Sequence, residues 1–379
     1  MNDKVNRKVL KLSGVIAVVF AACLILTGIF ELCVGVMEKN INFIHAGDRW
    51  SADGEPFAVI TMYSEESAAV SVDQITQWAY SVDQKLLESS VTPKENARSW
   101  AYCYGAQDTL TVSGPKGQAT AETLAVGGDF FVFHPLEFTY GSAFLNDNSN
   151  PMGVVLDRDL AWRVFGAENI IGMEVRIGGY DFTVVGISEK ESGGEIYEYT
   201  YGERPRLYMS YLGYRKLAGD GHITIFEAAL PNAVKSFAWN IFDGAVSFNE
   251  EKTAVMEASD RFSLTSRWEN MKTLKYSWIR ENRIEYPYWE NEAKVSDYRC
   301  AILMIFEAAV AAIGVTAMLL SFILLRVSGY TLTDSIKNLV KKLPKKQKKQ
   351  KKPKQPKKQK KAKAASGASI PADNMKQAR

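Results

Sequence analysis

The chain has 379 residues, of which 46% are hydrophobic and 23% are charged, and its 46 Lys and Arg nearly balance its 43 Asp and Glu. Four Cys do not make a disulfide framework, so a small cystine-stabilised scaffold is excluded. The low net charge hides an asymmetry, since residues 326–379 carry 16 Lys and two Arg against two acidic residues, whereas residues 37–299 have a net charge of −14.

Two uncharged apolar runs predict membrane-spanning helices. Leu12–Phe30 contains 19 residues and Ala308–Leu325 contains 18. At about 1.5 Å per residue these runs measure about 27–29 Å, close to the thickness of the hydrocarbon core of a bilayer. We expect transmembrane helices at 12–36 and 300–326. The alternative for the first run is a cleaved signal peptide, but its length and the lack of a clean cleavage site favour an uncleaved anchor.

The basic residues indicate how the chain crosses the membrane. Lys and Arg precede the first run and follow the second, and such residues stay on the cytoplasmic side. We therefore expect residues 1–11 and 327–379 to be cytoplasmic and residues 37–299 to be extracytoplasmic. The sequence predicts a two-span protein of the cell membrane.

Acidic residues, a tryptophan and two cysteines lie near the outer ends of the two runs. Glu31 ends the first run and Glu307 begins the second. A carboxylate deep in hydrocarbon would indicate an ion path, but we place both at the interface, as candidate interfacial or partner contacts. Trp289 is a third such candidate, since aromatic residues often lie near the bilayer surface. A Cys33–Cys300 disulfide is conceivable, although small apolar residues within helices are the favoured interpretation.

The first part of the exported segment predicts a strand, a helix and a strand. Residues 57–63 (FAVITMY) are typical of a strand, and Ser71 is a helix cap of the capping-box type. Apolar residues spaced by three and four then predict an amphipathic helix at 72–88. Its apolar face is formed by Ile75, Trp78, Val82 and Leu86. With a second strand at 99–113, these elements indicate a βαβ unit.

The next elements combine short strands with a capped helix. Gly153–Leu156 predicts a buried strand, and Asp157 caps a short helix that Gly166 can end. Gly178 and Gly179 separate two strand-like segments and predict a hairpin.

The remaining exported residues return the chain to the membrane. We expect strands at 206–209 and 223–230, and a helix at 232–243 that Pro231 opens. Residues 250–299 are predicted to be mainly helical.

Three motifs in this segment carry a family resemblance. They are Val126–Phe131 (VGGDFF), Val154–Gly166 (VVLDRDLAWRVFG) and Val175–Ile187 (VRIGGYDFTVVGI). In this order and spacing they resemble the extracytoplasmic core domain of MacB/FtsX-type ABC-transporter permeases. The resemblance implies an α+β membrane protein whose two transmembrane helices flank a two-lobed core domain. In that arrangement a β-rich lobe, at about 123–204, is inserted into a split βαβ lobe.

The chain also departs from the family pattern. Family permeases usually have four spans, whereas here the second apolar run leads into a lysine-rich segment. No G-x-x-x-x-G-K-[ST] phosphate loop occurs, so ATP hydrolysis by that route is not expected. We predict a non-ATPase, auxiliary or partial permease subunit of an ABC transporter or mechanotransmission complex. The resemblance implies an ABC-type ATPase and a further permease subunit as partners in an oligomeric complex.

A different class of function stays open. The alternative is a membrane-anchored extracytoplasmic protein that binds or senses a ligand, because residues 196–214 are rich in aromatic side chains. An enzyme is not expected, since His45, His134 and His222 are far apart and lack the spacing of metal ligands. Neither a metal nor another cofactor is predicted.

The lysine-rich tail predicts a disordered segment that contacts lipid. Residues 341–363 hold 14 Lys among Gln and Pro, a composition that cannot form a core. Near the inner leaflet, each lysine can gain about 1 kcal/mol from anionic lipid. The residues assigned to this contact are Lys341, Lys342, Lys345, Lys346, Lys348 and Lys349. Nucleic acid is not favoured as a partner, because the tail lacks the interleaved aromatic residues that stack on bases.

Overall fold

The computed structural model describes residues 3–51, 54–92, 98–144, 150–190, 202–273, 280–281 and 283–327. The chain divides into two units, residues 1–322 and 323–379, and the described part of the second unit is helical. The described α-helices are α1 (Asp3–Lys39), α2 (Ala46–Trp50), α3 (Val72–Glu88), α4 (Phe130–Phe133), α5 (Arg158–Phe165), α6 (Tyr211–Ala218), α7 (Phe237–Ala245), α8 (Leu264–Thr273) and α9 (Tyr288–Val327). Short 3-10 helices lie at Asn42–His45, Glu66–Ala68 and Ala258–Asp260.

Most described strands belong to one mixed sheet. The strands are β1 (Phe57–Ser64), β2 (Ala101–Ser113), β3 (Gln118–Gly128), β4 (Phe138–Gly141), β5 (Gly153–Asp157), β6 (Glu174–Ile177), β7 (Tyr180–Ser188), β8 (Arg206–Ser210), β9 (Ile225–Pro231), β10 (Thr253–Glu257), β11 (Arg280–Glu281) and β12 (Ile284–Glu285). Ten of them form the sheet β10-β1-β9-β2-β3-β8-β5-β7-β4, in which β6 pairs with β2 and β7. Strands β11 and β12 pair with each other.

The first strand, helix and strand form the predicted βαβ unit in its split form. Strands β1 and β2 both pair antiparallel with β9, which lies between them, so β1 and β2 run parallel to each other. Helix α3 connects them and begins where the sequence predicts, because the Ser71 side chain accepts a hydrogen bond from the Gln74 amide at 3.3 Å. The predicted apolar face of α3 is buried. The α+β fold class is confirmed.

In the second part of the sheet, cap and turn residues end and connect the elements where the sequence predicts. Asp157 accepts a hydrogen bond from the Leu160 amide at 2.7 Å and caps α5. Gly166 ends that helix with a φ of +72°, a left-handed conformation that favours glycine. Gly178 and Gly179, with φ values of +56° and +89°, form the predicted turn between β6 and β7. The predicted strands at 206–209 and 223–230 correspond to β8 and β9.

Two local predictions are wrong. The helix predicted over 250–299 holds for α8 and the beginning of α9, but it is wrong at Thr253–Glu257, which forms strand β10 along the outer edge of β1. Pairing with an available sheet edge outweighs the weak local helix preference of that segment. Pro231 does not open a helix either, since it is the last residue of β9. Helix α7 begins only at Phe237, after an Asn232 side chain that accepts a hydrogen bond from the Ala238 amide.

The two faces of the sheet have separate cores. Side chains alternate between faces along a strand, so Ile60 and Met62 of β1 pack on the same side as α3 and α7. Val59 and Tyr63 point to the opposite side and pack with the chain after α1 and with the beginning of α9. This second core therefore joins the domain to both long helices.

Helices α1 and α9 are the two described helices long and apolar enough to cross a membrane. With 37 and 40 residues, they measure about 55–60 Å, about twice the thickness of the hydrocarbon core. They approach each other closely at Gly314, where an added Cβ would lie 3.3 Å from Cys23 Cβ. All four cysteines are free, so no disulfide joins Cys33 to Cys300.

Candidate functional site at the junction of the membrane helices and the domain

Helix α9 joins the membrane to the interior of the domain. Its first residues, Tyr288, Trp289 and Glu290, are buried among the strands, at 4%, 5% and 0% exposure. Glu307 lies 18 residues further along the same helix, at the outer end of the apolar run. This separation corresponds to about 27 Å of continuous helix. A displacement of α9 in the membrane therefore reaches the core of the domain unless the helix bends.

A buried carboxylate lies beside the first residues of α9, at the end of the helix within the domain, which we call its upper end. This carboxylate belongs to what we call the Glu227 network (Glu227, His134, Cys103, Tyr63 and Trp289). One carboxylate oxygen of Glu227 is 2.6 Å from His134 Nε2 and accepts a longer contact from Cys103 Sγ at 3.4 Å. The other oxygen accepts from the Tyr63 hydroxyl at 3.1 Å and from Trp289 Nε1 at 3.0 Å. The network thus ties α9 to three strands and to the end of α4.

The positions of these residues follow from the sheet. Glu227 lies on the interior strand β9, third from one edge of the sheet, where its direct neighbour on β2 is Cys103. Tyr63 comes from β1 on the other side of β9. His134 follows α4, and its ring lies 4.0 Å from the Trp289 ring, measured between centroids. Four chain segments therefore place donors around one carboxylate.

Burial and charge shift the acidities within this network in different directions. Burial by itself raises the pKa of Glu227, but the His134 ring and the Trp289 and Cys103 donors outweigh it and lower the pKa below its ordinary value. Burial and the neighbouring Glu227 charge raise the pKa of Cys103 and of Tyr63 well above their ordinary values. Glu227 is therefore the anion of the network, and the thiol and phenol stay protonated donors.

The Glu227 network contains three residue types that can bind a metal ion, Cys, His and Glu. The potential ligand atoms of Cys103, His134 and Glu227 all lie within 4.8 Å of one another. Ligands about 2.1 Å from a tetrahedral zinc would be separated by about 3.3 Å or more, whereas His134 Nε2 and Glu227 Oε2 are only 2.6 Å apart. That distance fits a direct charge-assisted hydrogen bond. The arrangement is a hydrogen-bond network and does not fit a metal centre.

A second set of buried charges lies further along α9, toward its apolar run. We call it the Arg261 cluster (Arg261, Glu290 and Asp297). Arg261 donates to both carboxylate oxygens of Glu290, one of them at 3.1 Å, and its Nε lies 3.1 Å from Asp297. Glu290 and Asp297 both belong to α9, whereas Arg261 follows the 3-10 helix after β10. The cluster fixes the segment of α9 between the domain core and the membrane.

The lowest set, which we call the Arg267 cluster (Arg267, Glu31 and Glu307), touches both membrane helices. Arg267 of α8 is 2% exposed. Its two terminal nitrogens lie 2.7 Å from Glu31 of α1 and 3.3 Å from Glu307 of α9. One guanidinium group of the domain therefore binds both helices at the outer ends of their apolar runs.

The described site residues predicted from the sequence lie at two of these sets, the Arg267 cluster and the Glu227 network. Glu31 and Glu307, placed by sequence at the outer interface, meet at Arg267, and Trp289 lies inside the domain against Glu227. The six assigned tail lysines, and residues 196–201 of the aromatic stretch, lie outside the described residues. Sequence reasoning did not identify Arg267. The available signal was that two acidic residues at matching ends of two spans need a shared cation.

Comparisons with known proteins agree with the sequence motifs. A family model described as the MacB-like periplasmic core domain matches residues 15–239, more than half of the chain. The periplasmic region of MacB from Actinobacillus actinomycetemcomitans is 16% identical with a TM-score of 0.38, over 55% of this chain and 91% of that chain. The extracellular domain of the ABC-type transporter YknZ from Gram-positive bacteria is 12% identical with a TM-score of 0.36, over 52% and 99%. No curated protein matches the chain.

Proposed function

Because the chain belongs to the family defined by the MacB-like periplasmic core domain, we propose that it is a non-ATPase, permease-type subunit of an ABC transporter or mechanotransmission complex. In this role it carries movement between its membrane helices and its extracytoplasmic domain. The observation that supports the proposal is the pair of contacts from Arg267 to Glu31 and Glu307. Through them, a relative movement of α1 and α9 acts directly on the domain.

The upper part of α9 supports the same role. The helix is continuous from Glu307 to Trp289, and buried hydrogen bonds at Glu227 and Arg261 hold its beginning within the domain. A helix held at both ends transmits a shift or tilt along its axis. Catalysis is not proposed, since His134 and Glu227 are 4% and 0% exposed and are placed to hold the fold.

The proposed arrangement in the cell follows the distribution of charge. Residues 1–11 and 327–379 lie in the cytoplasm and residues 37–299 outside it, because basic residues are retained on the cytoplasmic side. Within 37–299, a β-rich lobe at about 123–204 is inserted into the split βαβ lobe. The tail lysines contact anionic lipids of the inner leaflet. The chain has no phosphate loop, so an ABC-type ATPase and a further permease subunit supply the energy and the remaining helices.

Purification from the native membrane tests this proposal. The tagged full chain is extracted in mild detergent and its partners are identified by mass spectrometry. We expect an ABC-type ATPase and a longer permease at near-stoichiometric amounts. Recovery of the chain alone, with neither protein enriched over an untagged control, would contradict the proposal.

A cavity favours a second candidate function, a membrane-anchored ligand-binding or sensing protein. It has a volume of about 410 Å³, and its lining includes Gln107, Glu122, Arg204, Tyr286 and Tyr288. Tyrosine rings with charged groups of both signs suit a peptide or sugar. If the chain purifies alone, thermal shifts of the full chain in nanodiscs with peptides and oligosaccharides test this function. A shift that Arg204→Ala removes would support it, and no shift with either class would contradict it.

A further inference from the structure

Helix α8 presents two large apolar side chains to its surroundings. Leu264 and Trp268 are 61% and 43% exposed. They are four residues apart and therefore lie on the same face of the helix. Arg267 is three residues after Leu264, so at 3.6 residues per turn it lies beside this face, buried against Glu31 of α1 and Glu307 of α9. The exposed face of α8 is therefore next to the contact with the two long helices. We call Leu264 and Trp268 the α8 apolar pair.

The depth of this pair relative to the membrane follows from the Arg267 cluster. Glu31 follows the last residue of the first apolar run, and Glu307 precedes the first residue of the second. Both carboxylates are within 3.3 Å of Arg267, and Trp268 is the next residue of α8. The α8 apolar pair is therefore at the level where the hydrocarbon core gives way to lipid headgroups.

We propose that α8 is an interfacial helix whose apolar pair inserts into the outer leaflet of the bilayer. Exposed apolar side chains of α1 and α9, such as Leu32 and Phe306, lie beside Glu31 and Glu307 at this level, so the patch continues the lipid-facing surface of the two helices. Tryptophan suits this depth because its ring is apolar and its N–H is polar. Lys272 lies over the Trp268 ring at 5.8 Å and pairs with Glu269 at 2.7 Å, which leaves the face nearly neutral and suited to zwitterionic lipid.

The chain contains a matched tryptophan for comparison. Trp162 of α5 is 55% exposed and also carries a lysine, Lys116, over its ring at 5.1 Å. Its surroundings lie at the other end of the sheet, since Lys116 follows the far end of β2 whereas Cys103 of the Glu227 network lies near its beginning. Ten residues of strand between Cys103 and Ser113 correspond to about 33 Å. Trp162 is therefore at least as exposed as Trp268 and has a similar lysine neighbour, but no bilayer lies beside it.

Quenching of tryptophan fluorescence by lipid tests the proposal. The full chain is placed in phosphatidylcholine nanodiscs, with or without bromine atoms in the upper part of the acyl chains. A Trp278→Phe background removes the tryptophan that lies outside the described residues. None of the other seven tryptophans falls within the two apolar runs. We expect brominated lipid to quench the fluorescence, Trp268→Phe to remove more than half of that quenching, and Trp162→Phe to preserve it.

In the comparison of Trp268→Phe with Trp162→Phe, two outcomes would overturn the proposal. One is equal quenching with and without Trp268, and the other is an equal loss of quenching with Trp162→Phe. Leu264→Glu provides a second variant that keeps the fluorophore. It places a charge at the same depth and should reduce the quenching of Trp268, while the melting temperature of the domain stays unchanged. Undiminished quenching in Leu264→Glu would also contradict insertion of this face.

Discussion

The two ends of the extramembrane part of α9 are held by opposite arrangements of charge. At the upper end, one carboxylate, Glu227, is surrounded by four donors and is 0% exposed. At the lower end, one guanidinium, Arg267, is shared by two carboxylates, and the Glu31 side chain is 50% exposed. At the upper end the four donors fill the acceptor sites of the carboxylate, whereas the lower end depends on a single side chain.

We call the Glu227 network the upper joint and the Arg267 cluster the lower joint. The upper joint is fixed, whereas the lower joint is adjustable. Every donor around Glu227 comes from the domain or from the first turn of α9, so the joint has one arrangement. Arg267 has to divide its hydrogen bonds between two helices, and its buried Nε has no partner among the described residues. In the proposed role, a movement of α1 against α9 changes the lower contacts at small cost, while the upper contacts pass the movement into the sheet.

The largest expected effect comes from breaking the upper joint. Glu227→Ala leaves the buried His134, Tyr63 and Trp289 groups without their acceptor and should lower the free energy of unfolding by about 3–5 kcal/mol. Thermal unfolding of the full chain in nanodiscs should show a melting temperature lower by about 10 °C. Glu227→Gln keeps one carbonyl acceptor and should lose less, about 1–3 kcal/mol. An alanine variant as stable as the wild type would contradict the fixed joint.

A pH-dependent effect is expected away from both joints. Burial raises the pKa of Asp157 to about 6, against the ordinary value of 3.8. The folded protein then binds more protons than the unfolded chain between pH 3.8 and about 6, so this group's contribution to stability is present below pH 3.8 and is lost as the pH rises to about 6. The change amounts to at most about 3 kcal/mol.

The matched variant for this effect is Asp157→Asn. Its side-chain oxygen can still accept from the Leu160 amide and cap α5, but it does not titrate. The difference in unfolding free energy between wild type and variant should change with pH over this interval, as measured by denaturation at several pH values. A constant difference would show that Asp157 has an ordinary pKa.

A smaller loss of stability is expected at the lower joint. Arg267→Leu removes the shared cation and should cost about 2 kcal/mol, less than the upper variant, because Glu31 remains half exposed to water. Arg267→Lys keeps the charge but not the forked geometry that contacts two carboxylates. Its free energy of unfolding should therefore lie between those of the wild type and Arg267→Leu. If Arg267→Leu destabilised the protein as strongly as Glu227→Ala, the contrast between the two joints would be wrong.

The smallest effect serves as a control within the domain. Ser71→Ala removes the cap of α3 and should cost about 1 kcal/mol, without any contact to α1 or α9 in the described residues. Thermal unfolding measures this loss. A larger effect on the relative position of the helices than that of Arg267→Leu would contradict the assignment of the lower joint to Arg267.

Structural features that depend on residues close together in the sequence could be predicted from it. The limits of α3 follow from Ser71 and the apolar spacing, and the β6–β7 turn follows from Gly178 and Gly179. The site depends on contacts over long sequence separations, such as 236 residues between Arg267 and Glu31 and 93 between His134 and Glu227. The matching positions of Glu31 and Glu307 indicate that a cation is needed, but a single sequence does not identify which residue supplies it. The mistaken helix at Thr253–Glu257 has the same cause, since its pairing partner is β1.

The proposal that Arg267 couples the membrane helices to the domain is tested by a distance measurement in nanodiscs. Spin labels at Val18→Cys on α1 and Val234→Cys in the domain occupy positions 69% and 71% exposed, in a Cys33→Ser background that removes the exposed native thiol. Pulsed electron paramagnetic resonance should give one narrow distance distribution for the wild type and for Ser71→Ala, and a wider one for Arg267→Leu. A distribution for Arg267→Leu as narrow as that of the wild type would contradict the claim.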